Sequence, residues 1–402
     1  MIKKVIKSIC NLLLSPLKYF PKKNIIILQT HSPFLYCDNT RFLYEYLSLN
    51  STFDIYWATE SNEIKNYLKC KNFKYISKKN LVHYILITIQ AKIVIDTGDR
   101  YFNPFNLIGS KTLKITTYHG NGPKTTTTPF LTFNENLKEI NKINAFDYIN
   151  ILSEYSAIRT HCNTYKVPRS KMIHLGYPRI EMYFDKNFVK RHYDEKPISQ
   201  YLMNNQFKKG SKVILYTPTW RPYDYNFPLD NLVGFNYENF NQYLRQNNTY
   251  FFFSLHSAKL LQNIPSNLDH IITINSQEKN LYDTNLFMLE IDLLINDCAT
   301  TMTDIILLDT PQIHVFPDLV KYEYYKGFVD NYLDIIPGPF IQNYNSLLET
   351  ISEYISNPSV YSSQFKEKIT EFSKKYLEYA CPNSSEKFNQ FILKITQDKA
   401  QH

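Results

Sequence analysis

Asp292-Leu293-Leu294-Ile295-Asn296-Asp297-Cys298-Ala299-Thr300-Thr301-Met302-Thr303-Asp304 begins as a strand and ends as a helix. Leu293, Leu294 and Ile295 form a short apolar run, Asn296-Asp297 closes it, and a hydroxyl-rich helix start follows at once. A buried strand feeding directly into a helix is the repeating unit of a parallel sheet. The same alternation recurs on both sides of this stretch. Apolar bursts at Lys212–Thr217, Tyr250–Leu255, His270–Ile274 and Gln312–Phe316 are separated by helical patterns. Nearer the start, strands are expected at Asn24–Gln29, Phe53–Trp57, Lys92–Asp96, Thr112–Tyr118 and Tyr148–Leu152. Helical spacing falls between them at Thr40–Leu47, Asn62–Lys69 and Leu81–Gln90. Two such series predict an α/β protein of two doubly wound parallel-sheet domains facing a central cleft. Ligands of such domains bind outside the carboxyl ends of the strands.

The 402 residues are 44% hydrophobic and 20% charged, enough for sizeable cores and too apolar for a disordered chain. Nine glycines exclude collagen-like and glycine-repeat architectures. The six cysteines (Cys10, Cys37, Cys70, Cys162, Cys298, Cys381) are scattered without metal or redox spacing, which reads as reduced thiols in a cytoplasmic protein.

Charge divides the chain further. Residues 1–23 hold Lys3, Lys4, Lys7, Lys18, Lys22 and Lys23 and no acid, six of the net +8. Val5, Ile6, Ile9, Leu13, Leu17 and Phe20 form an apolar stripe beside them. That pattern suits a helix lying on an anionic membrane surface, or one packed on its own protein with solvated lysines. It is too interrupted to span a bilayer. The expected division is a basic amphipathic segment at 1–23, an N-terminal α/β domain at 24–185, a polar linker at 186–209, a second α/β domain at 210–360 and a helical tail at 361–402. Outside the first segment the charge is nearly balanced and no basic, aromatic-studded face emerges, so nucleic acid is not an expected partner.

Four stretches at strand ends can carry chemistry. Tyr118-His119-Gly120-Asn121-Gly122-Pro123-Lys124 places a histidine, two glycines and a lysine just past a strand. A histidine there suits general-base catalysis at neutral pH, and Lys124 suits an anionic ligand. Thr300 and Thr301, with the N–H groups of their helix start, can cradle phosphate, while Asp297 reads equally as an N-cap. Thr217-Pro218-Thr219-Trp220-Arg221 offers a guanidinium for a phosphate or simply a packed Trp-Arg corner. Ser254-Leu255-His256-Ser257-Ala258-Lys259 places His256 and Lys259 at a fourth strand end. The other histidines have no metal-ligand spacing, and no Asp-x-Asp pair offers a site for a nucleotide-bound metal.

These motifs resemble, in order, those of the CDP-glycerol glycerophosphotransferase family, the teichoic-acid primases and polymerases with related capsule polymerases. The matching residues are Asp38-Asn39-Thr40 with Tyr44-Glu45-Tyr46, Tyr118-His119-Gly120, Gly176-Tyr177-Pro178-Arg179, Thr217-Pro218-Thr219-Trp220-Arg221 and Asn296 through Asp304. Gly327-Phe328 and Pro337-Gly338-Pro339 follow, so the likeness runs from about residue 26 to 340. It implies a GT-B-like fold and a metal-independent transfer with no cofactor, by a peripheral enzyme on the cytoplasmic face of the cell membrane. The donor would be a CDP-alditol, and the acceptor a hydroxyl of a lipid-linked or polymeric glycan. By their places in the motifs, His119 would be the base and His256 would contact the diphosphate. Lys124, Arg221, Lys259, Asp297, Thr300, Thr301 and Asp304 would line the nucleotide and phosphate site, and Asp38, Asn39 and Asn121 the acceptor side.

The chain departs from the family pattern at Asn121-Gly122-Pro123, Cys298-Ala299-Thr300 and His256-Ser257. Those changes leave open ribitol, another polyol or a sugar in place of glycerol. A nucleotide-sugar glycosyltransferase and a catalytically silent relative are the competing readings.

Overall fold

The computed structural model describes residues 15–98, 101–120, 122–125, 130–185, 210–221, 223, 228–255, 265, 267–275, 281 and 283–398. Most of the expected basic segment and all of the 186–209 linker lie outside the described residues, as do Asn121, His256 and Lys259.

The first sheet contains β1 (Lys23–Gln29), β2 (Asp54–Ala58), β3 (Tyr75–Ile76), β4 (Ala91–Asp96), β5 (Leu113–Thr116), β6 (Tyr148–Asn150) and β7 (Met172–Ile173). The second contains β8 (Lys212–Thr217), β9 (Thr249–Leu255), β10 (Ile271–Asn275), β11 (Leu293–Asn296), β12 (Gln312–Val315) and β13 (Phe340–Ile341). Their strand orders are β3-β2-β1-β4-β5-β6-β7 and β10-β9-β8-β11-β12-β13. Every pairing between these strands is parallel. In each sheet the order reverses beside the first strand, between β1 and β4 and between β8 and β11. Those reversals are where a doubly wound sheet opens a crevice for ligand.

The central strands are apolar on both faces because helices cover both faces. Ile26, Ile27 and Leu28 of β1 are fully buried, as are Ile214, Leu215 and Tyr216 of β8. Two of the covering helices start where the sequence supplies a cap. Ser61 accepts the Ile64 N–H ahead of Asn62–Cys70, and Thr132 forms a capping box with Glu135 ahead of Phe133–Asn144.

The helices that follow β13 divide between the two domains. Helices Tyr344–Ser356 and Pro358–Gln364 contribute Leu347, Ile351 and Tyr361 to a core of the second sheet. The chain breaks at Cys381-Pro382-Asn383, and helix Ser384–Asp398 returns to the first sheet. There Phe388, Ile392 and Ile395 pack with Leu43, Leu47, Ile93 and Ile115.

Candidate active site

β5 ends at Thr116 rather than running to Tyr118. Thr116 Oγ1 accepts the Tyr118 N–H at 3.0 Å, and Tyr118 sits at φ +56°, a left-handed turn that swings His119 out of the sheet plane. His119 is exposed to the cleft, and its Nδ1 lies 3.0 Å from the Thr97 carbonyl. A neutral ring at that distance donates Nδ1–H to Thr97, which leaves Nε2 as the acceptor. The residue keeps solvent-accessible surface, yet the protein packed around it desolvates the ring and lowers its pKa. His31 and Lys124 push the same way, against the pull of Asp38 and the Thr97 carbonyl. The net shift favours the neutral ring, the state a base requires.

The loop that follows crosses to the second domain. A Cβ on Gly120 would stand 2.6 Å from Thr300 Cγ2, so any larger residue here must push the loop or the Thr300 side chain aside. Lys124 bridges to Phe328, the Thr125 N–H donates to the Gly327 carbonyl at 3.2 Å, and the Val329 N–H donates to the Pro123 carbonyl at 2.6 Å. His119 and Thr300, 181 residues apart in sequence, thus belong to one site.

Thr300 makes no side-chain cap and is partly exposed beside that loop. Thr301 is held inward instead, 2.6 Å from Thr217 Oγ1 and accepting from Asn296 Nδ2 at 2.6 Å. Lys326, absent from the sequence-derived candidates, joins Lys124 here. Burial lowers its pKa, and the Lys124 charge lowers it further. Two ammonium groups close enough to repel one another are an arrangement that a bound anion relieves. Cys298 lies below them, its thiol pushed up to about 12 by burial and by Asp297, so it stays protonated.

Asp297 and Arg221 lie behind this rim rather than in it. The Asp297 carboxylate is fully buried and accepts the Thr219, Cys298 and Ala299 N–H groups and the Arg221 Nη1. Arg221 also grips Asp318 through Nε and Nη2, both at 2.9 Å, and its guanidinium stacks 4.6 Å from the Phe316 ring centre. A charge already neutralised by two carboxylates in a closed pocket has little left for a phosphate. This departs from the phosphate contact expected of Arg221; nor is Asp297 the N-cap, a position that Thr300 holds, for its carboxylate ties the turn before the helix to the Thr219 loop and to Arg221.

Asp38, Asn39 and Asp304 meet at the junction of the two domains, around Arg179. Arg179 donates to Asp38 Oδ1 at 2.7 Å and to Asp304 Oδ2 at 3.0 Å. Asn39 Nδ2 donates to the Tyr118 carbonyl at 2.8 Å, and Asn39 Oδ1 accepts the Arg179 N–H at 3.2 Å. Asn285 Nδ2 donates to Asp304 Oδ2 at 3.0 Å. All of these side chains are buried or nearly so. Asp38 and Asn39 therefore support the His119 loop instead of facing an acceptor. The sequence carried one sign of Arg179, its place in the Gly-Tyr-Pro-Arg stretch, and singled out Asp38, Asn39 and Asp304 without linking them to it.

A cavity of about 500 Å³ opens at the carboxyl ends of β1, β2 and β4. Glu60, Lys78, His31, Asp96, Tyr101 and Phe102 line it, and His31 is close enough to act on the charge of His119. It is large enough for a small ligand. Among the described residues no group of His, Cys, Asp and Glu is arranged to hold a metal ion.

Two doubly wound domains with their ligand-binding edges turned toward one another form a GT-B-like fold, in which His119 and Lys124 come from the first domain and Thr300 and Lys326 from the second. The chain belongs to the CDP-glycerol:poly(glycerophosphate) glycerophosphotransferase family, whose model matches residues 14–394. It is 25% identical over 393 residues to the teichoic acid glycerol-phosphate transferase of Staphylococcus aureus, covering 90% of this chain and 94% of that protein. The teichoic acid glycerol-phosphate primase of Bacillus subtilis is 28% identical over 330 residues, 79% of this chain and 78% of its own. In fold, the chain matches the wall teichoic acid polymerase TagF with a TM-score of 0.76 at 19% identity, covering 99% of this chain and 96% of that one. A Neisseria meningitidis UDP-GlcNAc 2-epimerase matches at a TM-score of 0.52 and 13% identity, over 92% of this chain and 99% of that one.

Proposed function

We propose that this enzyme moves an alditol phosphate, with glycerol phosphate the leading choice, from its CDP ester to a hydroxyl of a lipid-linked or polymeric glycan, releasing CMP. The family and its teichoic-acid relatives support the donor and acceptor classes. The observation that carries the chemistry is the His119 ring, held at Nδ1 by Thr97 with Nε2 left to accept, on a loop pressed against Thr300.

In the reaction, Nε2 takes the acceptor's hydroxyl proton as its oxygen attacks the phosphorus that bears the alditol. The bond from that phosphorus to the CMP oxygen breaks, and CMP leaves as an anion. In this reading the charge developing on the leaving group is met by Lys124, Lys326 and the Thr300 hydroxyl, which is the stabilisation such a transfer needs. With two ammonium groups there, the reaction proceeds without a divalent metal. His256 and Lys259 remain proposed diphosphate contacts and Asn121 an acceptor contact, by their places in the motifs. In this reading residues 24–185 serve the acceptor and 210–360 the nucleotide.

The work is done at the cytoplasmic face of the cell membrane, where the lysine-rich start of the chain meets anionic lipid. No described helix is long and apolar enough to cross a bilayer. The test is a product assay with CDP-glycerol, CDP-ribitol and UDP-sugars, membrane extract as acceptor, and EDTA present or absent. CMP release from a CDP-alditol, indifferent to EDTA, is the expected result. Release of UDP would replace the reading with sugar transfer.

A further inference from the structure

Arg179 lies on the short helix Pro178–Phe184, at the end of the first domain, with 4% of its side chain exposed. Besides its bonds to Asp38 and Asp304, Nη1 donates to the carbonyl oxygen of His119 at 2.7 Å. The other Asp38 oxygen accepts from Thr97 Oγ1 at 2.9 Å, and Thr97 is the residue whose carbonyl holds His119 Nδ1. These contacts close a circuit. Arg179 grips the backbone of His119 directly and orients its ring through Asp38 and Thr97. Through Asp304 it also reaches the turn of helix that carries Thr300 and Thr301.

Two features show that this geometry is held against resistance. Asp38 sits at φ +67°, a conformation that costs a non-glycine residue about 1–3 kcal/mol. Arg179 Nη2 is buried with no hydrogen-bond partner, which costs about the same again. An arginine serving only to join two domains has no need of either.

We propose that Arg179 is a positioning residue for the transfer: it holds the base loop in register with the donor-phosphate loop and so sets the rate of the chemical step without touching substrate. The proposal rests on His119 being the base. The charged and titratable groups facing His119 are Asp38 from helix Asp38–Asn50, His31 after β1, Lys124 on its own loop, His161 behind Tyr118, and Arg179 itself. Arg179 shields Asp38 from the imidazole. Removing its charge strengthens the pull of Asp38 on the protonated ring, so the acid limb of the rate profile moves to higher pH. Neutralising Asp38 moves that limb to lower pH.

The experiment compares Arg179→Gln, Arg179→Lys, Asp38→Asn and His119→Ala in the full-length protein. It measures kcat, the KM for CDP-glycerol, the pH profile of kcat and the melting temperature. The expected result for Arg179→Gln is a kcat lowered ~100-fold with KM changed less than ~threefold, since small misplacements cost about that much. Arg179→Lys recovers at least ~tenfold of the loss by restoring the charge. If Arg179→Gln does not fold, Asp38→Asn decides, through a lower kcat and an acid limb moved down. A folded variant with wild-type kcat and acid limb, or with its whole loss in KM, overturns the proposal. Full turnover in His119→Ala overturns the base assignment itself. An inactive His119→Ala beside unaffected Arg179→Gln and Asp38→Asn overturns the positioning role alone.

Discussion

Arg179 and Arg221 are built from the same parts. Each guanidinium is buried, each is paired with two aspartates, and each lies over an aromatic ring, Tyr177 at 5.0 Å or Phe316 at 4.6 Å. They differ in where the aspartates come from. Asp297 and Asp318 both belong to the second domain, so Arg221 fastens loops of one sheet to each other. Asp38 and Asp304 belong to different domains, and Arg179 holds the His119 carbonyl as well. Like chemistry therefore serves stability in one place and register between domains in the other.

That contrast can be broken by measurement. Its firmest footing is His119→Ala, expected to lose ~10²–10⁴-fold in kcat while melting like wild type, since a general base is worth about that much. A comparable energy but the opposite readout is expected of Arg221→Met, which leaves Asp297 buried without its cation. Chemical denaturation should show a loss of about 3–5 kcal/mol, the usual result of removing half of a buried ion pair. Activity per folded molecule should change far less than in the Arg179 variants.

A smaller effect tests the domain contact itself. Gly120→Ala sets a methyl group against Thr300 Cγ2 and should lower kcat about tenfold by shifting the base loop. Thr300→Ser removes the offending methyl, so the double variant should recover much of the loss; additivity of the two changes would place the strain elsewhere. The mildest perturbation is pH. His119 works as the neutral ring and its pKa is lowered by desolvation, so kcat should hold at neutral pH and fall only on the acid side of the ordinary 6.5. A fall beginning above that value would mean that Asp38 governs the ring.

The sheets were legible because their central strands are apolar on both faces; Lys212–Thr217 and Leu293–Asn296 match the structure residue for residue. The strands that sequence reading omits are the two-residue β3, β7 and β13, too short to show a period. The His119 loop was legible because its residue types are unusual together at a strand end. The work of Asp38, Asn39 and Arg179 was not, because their contacts span 79 to 141 residues of sequence. A buried polar network has no local signature. Arg221 misled for the related reason that a phosphate-binding arginine and an ion-paired one look alike until their partners are seen.

Helix Ser384–Asp398 has a consequence for how the protein is made. Phe388, Ile392 and Ile395 fill the core of the first sheet, although more than 200 residues separate them from its last strand at Met172–Ile173. While a ribosome is still translating, the amino-terminal half emerges with that side of its core open. The second domain can bury its own sheet first. Closure of the first must wait for Ser384–Asp398 to leave the exit tunnel, so the domain begun first closes after the one that follows it.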